Sequence, residues 1–91
     1  MFKITDRKGF QMTFANGYTV SVQFGYGNYS ANRDEQAYGE DAKPSRTAEF
    51  AAWDASGKWV RFDGECDDVI GYITPDEAMA RMNEVMAFPV A

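Results

Sequence analysis

The sequence contains no histidine and only one cysteine, and both scarcities restrict what the protein can do. Without histidine, Ser-His-Asp and Cys-His catalysis, His-ligated zinc and proximal-histidine haem are all excluded. The single cysteine, Cys66, has no partner for an intramolecular disulfide, which favours a reducing compartment. The sequence also lacks a signal-like basic and apolar start and any apolar run near the ~20 residues of a membrane span. We therefore expect a cytoplasmic protein with no membrane partner.

The charge balance is acidic and unevenly distributed. The 91 residues include 14 acidic and 9 basic side chains, for a net charge of −5. Residues 1–46 carry a net charge of +1 and residues 47–91 carry −6. This excess argues against direct binding to nucleic acid, which calls for clustered lysine and arginine. A one-sided negative field predicts attraction to a basic partner, with a role in solubility as the alternative.

The length predicts a single domain over residues 1–91, and a 45% hydrophobic content is enough for one core. Alternating apolar and polar residues predict a β-hairpin over about residues 9–24, with Asn16-Gly17 as a type I′ turn. A second hairpin is predicted from strands at 47–53 and 59–62. The run 69–73 is apolar and extended in character. Residues 2–4 either add a short strand or dock on the core as a tail.

The C-terminal part predicts a helix over about residues 75–87. Thr74 and Glu77 form a capping-box pattern, and Pro75 suits the first helical position. One apolar stripe is expected to pack under the sheet, with a methionine-rich binding groove as the alternative: Ala78, Met79, Met82, Val85 and Met86. Strands followed by a helix predict an α+β fold, an antiparallel sheet of about four strands (two β-hairpins) with the helix packed on one face.

Residues 25–46 are predicted to form a long polar loop that contains tyrosines. It is either a mobile connector or a partner-contacting loop in which Tyr26 and Tyr29 supply contact area at low entropic cost. A short helix around residues 32–38 is a third interpretation. On the predicted strand 47–53, alternation places Trp53 on the face opposite Phe50. An exposed tryptophan there is a candidate anchor for a partner, with ordinary packing as the alternative.

The segment 63–68 is an acidic loop. Its carboxylates suit a hard cation, a recognition surface or simple solvation, but their spacing is not that of an EF-hand. We therefore predict no metal site, no cofactor and no catalytic residue. Cys66 lies among negative neighbours that disfavour its thiolate, so an inert thiol is expected. The predicted partner-binding residues are Asp63, Glu65, Asp67, Asp68, Trp53, Tyr26 and Tyr29.

In size, acidic charge, scarcity of cysteine and hairpin-plus-helix layout, the chain resembles small proteins encoded by bacteriophages and other mobile elements. That group includes anti-CRISPR and other anti-defence inhibitors. The resemblance implies a non-catalytic inhibitor that presents an acidic surface to a basic, nucleic-acid-binding site on a host protein. It carries no motif and assigns no residue. The alternatives are a structural subunit that self-associates as a homo-oligomer, and a domain that binds a small ligand or a cation.

Overall fold

The computed structural model describes residues 1–34, 40, 43–65 and 67–90. Within them, one antiparallel sheet follows the order of the chain: β1 (Phe2–Thr5), β2 (Gly9–Thr13), β3 (Thr19–Gln23), β4 (Ala48–Trp53) and β5 (Ile70–Ile73). The helix α1 (Pro75–Met86) follows β5 and packs on one face of the sheet. The predicted α+β fold is therefore confirmed, with five strands instead of about four. No helix in the described part of the chain is long and apolar enough to cross a bilayer.

The prediction of a strand at 59–62 was wrong. This segment makes one isolated bridge, between Trp59 and Trp53, and then leaves the sheet. Phe62 turns into the core instead, with its ring centroid 5.8 Å from that of Phe50. The position beside the first half of β4 is then taken by β5. At the other side of the sheet, residues 2–4 belong to the edge strand β1, which settles that alternative in favour of a strand.

The core lies between the sheet and α1. Val20 and Val22 of β3 pair with Ala52 and Phe50 of β4, and all four side chains are buried. Val85 of the helix is fully buried in the same cluster.

The apolar stripe of α1 is narrower than predicted. Ala78 and Val85 are buried and Met82 is partly buried, but Met79 and Met86 are exposed. Each of these two methionines follows a buried residue by one position, which rotates its side chain by about 100° around the helix axis. The prediction that the methionines of the helix pack under the sheet is therefore confirmed for Met82 and wrong for Met79 and Met86.

The turn between β2 and β3 differs from the predicted type I′ turn. The N–H of Gly17 donates to the carbonyl of Phe14 at 3.0 Å, and Gly17 has a φ of 91°. Asn16 is absent from the described non-glycine residues of positive φ. The loop is thus a type I turn followed by a left-handed glycine, the usual three-residue hairpin connection. Asn16 keeps a right-handed or extended backbone and uses its side chain in other contacts.

Candidate protein-binding surfaces

The acidic loop and the helix face each other across a groove. Its volume is about 220 Å³, and it is lined by Glu65 of the loop, by three residues of α1 that are charged, and by neighbouring apolar residues: Glu77, Arg81, Glu84, Ala80, Ile70 and Ile73. The helix period brings positions 77, 81 and 84 onto one face. We call this groove the acidic groove, and we include in the name Asp63, Asp67 and Asp68, which do not line it but flank Glu65 in the acidic loop.

The cations of this region are already paired with carboxylates. Arg81 lies 3.1 Å from Glu84 and 3.6 Å from Glu65, and its guanidinium also stacks 5.1 Å from the ring centroid of Phe62. Arg61 pairs with Asp68 at 3.0 Å. Two arginines therefore stand against six carboxylates, and the acidic groove keeps a net negative charge.

One carboxylate of the groove has a structural role. Glu77 accepts hydrogen bonds from the hydroxyl of Thr74 at 2.7 Å and from its backbone N–H at 3.0 Å, while Thr74 accepts from the N–H of Glu77. This capping box starts α1. The bonds from Thr74, first that of its side chain, hold the pKa of Glu77 below its ordinary value. Glu77 therefore stays charged in the groove at neutral pH.

The first part of the tyrosine-containing loop is held in place by hydrogen bonds. Ser30 and Asn32 are buried, and both side chains accept from the N–H of Gly25, at 3.1 and 2.8 Å. The N–H of Tyr29 donates to Glu49 Oε2 at 2.8 Å. These contacts hold residues 25–34 in place, which does not fit a free connector. Contact of this loop with a partner stays a prediction. The predicted short helix at 32–38 falls mostly outside the described residues.

Two tyrosines from different elements form an exposed pair. Tyr29 of the loop lies beside Tyr72 of β5, with ring centroids 6.5 Å apart, and about half of each side chain is exposed. The N–H of Tyr72 donates to the carbonyl of Tyr29 at 2.8 Å. Gly71 permits this approach, because a Cβ there would lie 2.9 Å from the Cβ of Tyr29.

A bulge in β5 turns Tyr72 outward. Ala48 pairs with Ile73 and Phe50 with Ile70, so β5 has one extra residue over this interval. Tyr72 has a φ of 55°, a left-handed conformation that is costly for a bulky residue. The bulge lets Ile70 and Ile73 both enter the core, although they are three residues apart.

Arg33 completes this cluster. Its guanidinium lies 5.2 Å from the ring centroid of Tyr29. A hydrogen bond with the Tyr72 side chain, opposed by slight desolvation, raises the pKa of Arg33 above its ordinary value. Tyr29, Tyr72 and Arg33 form what we call the tyrosine cluster. Tyr26 lies on the same loop, also exposed, with the Lys8 ammonium 5.7 Å from its ring centroid.

Trp53 faces the side of the sheet opposite α1, as alternation predicts. It is half-buried and packs against Trp59, with ring centroids 5.3 Å apart. Trp59 is 48% exposed. Sequence analysis placed Trp59 on a strand and singled out only Trp53, so the pairing of the two indoles was not predicted.

The structure groups the seven predicted partner-binding residues on separate features. Of the four acids, Glu65 lines the groove, and Asp63, Asp67 and Asp68 lie on the same loop outside its lining. Tyr29 belongs to the tyrosine cluster, Tyr26 lies beside Lys8, and Trp53 lies with Trp59. Cys66 falls outside the described residues. Among the residues that are described, no group of three or more acidic or cysteine side chains has the arrangement of a metal site.

Several residues of these surfaces were missed by sequence reasoning. Arg81 and Glu84 are not among the predicted partner-binding residues, and Tyr72 belongs to the run 69–73, which was predicted only as apolar and extended. Their roles depend on contacts with the distant segments 63–68 and 25–34, which no local pattern encodes. Only the i,i+3 and i,i+4 spacing of Glu77, Arg81 and Glu84 could have shown that they share a face.

Comparisons with known protein families, with curated proteins and with solved structures found no match to this chain.

Proposed function

We propose that this chain is a non-catalytic protein-binding module, an inhibitor of the kind that phages encode, which presents the acidic groove to a basic site on a host protein. The observation that carries the proposal is that Glu65 of the acidic loop lines one groove with Glu77 and Glu84 of α1, although the two segments are distant in sequence. A concentrated negative field accelerates encounter with a basic partner and fixes its orientation. A nucleic-acid-binding protein offers such a basic site.

The tyrosine cluster supports contact with a protein. Tyrosine and arginine are enriched among the residues that dominate binding energy at interfaces. Tyrosine loses little conformational freedom when it is covered, and here the loop that carries Tyr29 is already ordered by the buried Ser30 and Asn32. A preorganised loop avoids part of the entropic cost of binding.

The pKa directions are consistent with a non-catalytic role. Among the described carboxylates, the pKa is displaced for Glu77 and Asp54. In both it is lowered by hydrogen bonds of a helix cap or a turn, first from the Thr74 and Ser56 side chains respectively. A general acid at neutral pH needs a raised value instead. The sequence also has no histidine to transfer protons.

The test is capture of partners from bacterial lysate at low and high salt with the full chain. We expect a partner whose retention falls as salt rises, because exposed ionic contacts are screened. A fourfold variant should weaken retention further. It carries Asn or Gln in place of the acid at each of four positions: Asp63, Glu65, Asp67 and Asp68. A partner that is a nucleic-acid-binding protein should also be released by added DNA.

A charge-matched pair of variants separates the groove from net charge. Asp63→Asn/Asp67→Asn removes two negative charges from the acidic groove, whereas Asp34→Asn/Glu40→Gln removes two elsewhere. The first variant should lose the partner and the second should retain it. Equal retention by both variants and by the fourfold variant would contradict the acidic-surface proposal.

A specific observation favours self-association as a second candidate function. Phe2 and Ile4 of β1 are 74% and 76% exposed, although the register places them on the same face as Met12 and Phe10, which are partly buried against the core. Exposed apolar residues on an open sheet edge are a template for pairing with another strand.

A further inference from the structure

The face of the sheet opposite α1 contains a basin of about 500 Å³. Its floor is made of small residues. Ser21 of β3 pairs with Ala51 of β4, and both residues line the basin. Longer side chains stand around that floor: Gln11, Gln23, Glu49, Trp53 and Trp59. Small central and large peripheral residues make the surface concave.

The charged residues that line the basin are acidic. Asp6 and Glu49 contribute carboxylates, and no lysine or arginine is among the described residues of the lining. Glu49 Oε2 accepts the N–H of Tyr29 at 2.8 Å, and a carboxylate retains further acceptor positions on both oxygens. Gln23 is occupied within the wall, since it accepts from Thr5 and donates to Ser21.

Aromatic surface lies at the end of β4. Trp53 and Trp59 are held together by a backbone bridge and by contact of their rings, and both line the basin. Glu49, Ala51 and Trp53 are alternate residues on one face of β4, so the Cα atoms at the two ends of this row are about 13 Å apart. The row therefore has a negatively charged residue at one end, a small residue in the middle and an aromatic residue at the other end.

We propose that the basin binds a long cationic side chain, an arginine or a lysine, of a partner protein. The head group binds the Glu49 carboxylate, and the methylene stem crosses Ala51 and packs against the tryptophans. Long basic side chains bind in this divided way, with an apolar stem and a charged end. The site lies on the face opposite α1 and does not rest on the acidic groove.

Tryptophan fluorescence tests the proposal directly, because the only two tryptophans of the chain both line the basin. The probes are N-acetyl-arginine amide and its neutral isostere N-acetyl-citrulline amide. We expect a saturable change with the arginine probe and at least ~5-fold weaker binding of the citrulline probe, which lacks the charge. Equal affinities would overturn the proposal, as would the absence of a saturable change or equally strong binding of glucose, a neutral polyol.

A conservative variant locates the head group. Glu49→Gln keeps an oxygen to accept from Tyr29 but removes the charge, so it should lower affinity for the arginine probe several-fold and leave the citrulline probe unaffected. Asp63→Asn removes one charge from the acidic groove and should leave both affinities unchanged. If Asp63→Asn weakens binding as much as Glu49→Gln, the signal reflects net charge and the basin is not the site. The citrulline comparison needs no variant and stays informative if a variant misfolds.

Discussion

Asn16 joins the first hairpin to the end of the helix. Its Nδ2 donates to the carbonyls of Val85 at 2.9 Å and Phe88 at 3.1 Å, and its Oδ1 accepts from the N–H of Tyr18 at 3.1 Å. The last turn of α1 contains no basic residue. Lysine or arginine side chains often donate to the last carbonyl groups of a helix. Here an asparagine that is distant in sequence donates to carbonyl groups at the end of α1 instead.

Replacing Asn16 with alanine should lower the free energy of unfolding by about 1–3 kcal/mol, because partly buried carbonyls lose their donor. Urea denaturation followed by circular dichroism measures the loss. Asn83→Ala, on the exposed side of α1, is the control and should cost nothing or stabilise the helix slightly. Equal stability of Asn16→Ala and the wild type would show that water replaces the amide without penalty.

Gly9 is required by the close approach of β2 and β3. A Cβ at this position would lie 2.0 Å from the carbonyl oxygen of Val22 and 2.9 Å from the Cα of Gln23, both backbone atoms. Gly9→Ala should therefore cost at least about 2 kcal/mol, since a strand must shift. Thermal unfolding checks the prediction. A variant that melts with the wild type would mean that the strand pair separates locally at no cost.

The capping box at the start of α1 makes helix stability depend on pH. The lowered pKa of Glu77 means that its charged form is stabilised on folding, chiefly by the Thr74 side chain. This contribution is present above the ordinary glutamate value of 4.5 and is lost as the pH falls through the lower folded value. We expect the melting temperature of the wild type to exceed that of Glu77→Gln at neutral pH, with the difference shrinking below about pH 4.5.

A second background controls this pH prediction. Thr74→Ala removes the hydroxyl that is the main cause of the shift, so the effect of Glu77→Gln should become smaller and less dependent on pH there. Melting temperatures of the four proteins from neutral to acidic pH complete the cycle. A difference that persists unchanged into strong acid would assign the effect of Glu77→Gln to shape and not to charge.

Elements that are encoded by neighbouring residues could be predicted from the sequence. The strand that pairs with β4 could not, because two segments were both suited to that position. The capping box and the alternation in 9–24 involve neighbours along the chain, so the helix and the first hairpin were identified. Segments 59–62 and 69–73 both had extended character. The core decided between them, because burying Phe62 removes the first from the sheet and the bulge at Tyr72 fits the second beside β4.

The candidate surfaces were predictable to the same extent. The four acids of 63–68 were identified by composition alone, and the exposure of Tyr26 and Tyr29 followed from their place in a polar loop. Their neighbours were not identified, since Glu84, Tyr72 and Trp59 join these surfaces only when the chain folds. The acidic groove and the basin are both properties of tertiary structure.

At the scale of the whole molecule, β1 provides an open edge. Met1 and Thr13 exchange hydrogen bonds of 2.9 and 3.1 Å, so alternation directs the backbone groups of Phe2 and Ile4 away from β2. Antiparallel pairing of two copies through this edge would set Phe2 opposite Ile4 of the second copy. The same register would set Lys3 opposite its own counterpart on the other face, where like charges repel.

Salt therefore has opposite effects on the two candidate functions. Self-association through β1 should strengthen as salt rises, because screening reduces the repulsion between Lys3 side chains, whereas binding of a basic partner to the acidic groove should weaken. Sedimentation velocity over a range of protein and salt concentrations measures the first effect.

Two variants of β1 test the same mode of pairing. Lys3→Thr should dimerise more readily, and Phe2→Thr/Ile4→Thr should remain monomeric with a stability within ~0.5 kcal/mol of the wild type, since both side chains are exposed. A wild-type protein that stays monomeric at high concentration and high salt excludes this mode of assembly and leaves the open edge without a role in the function of the chain.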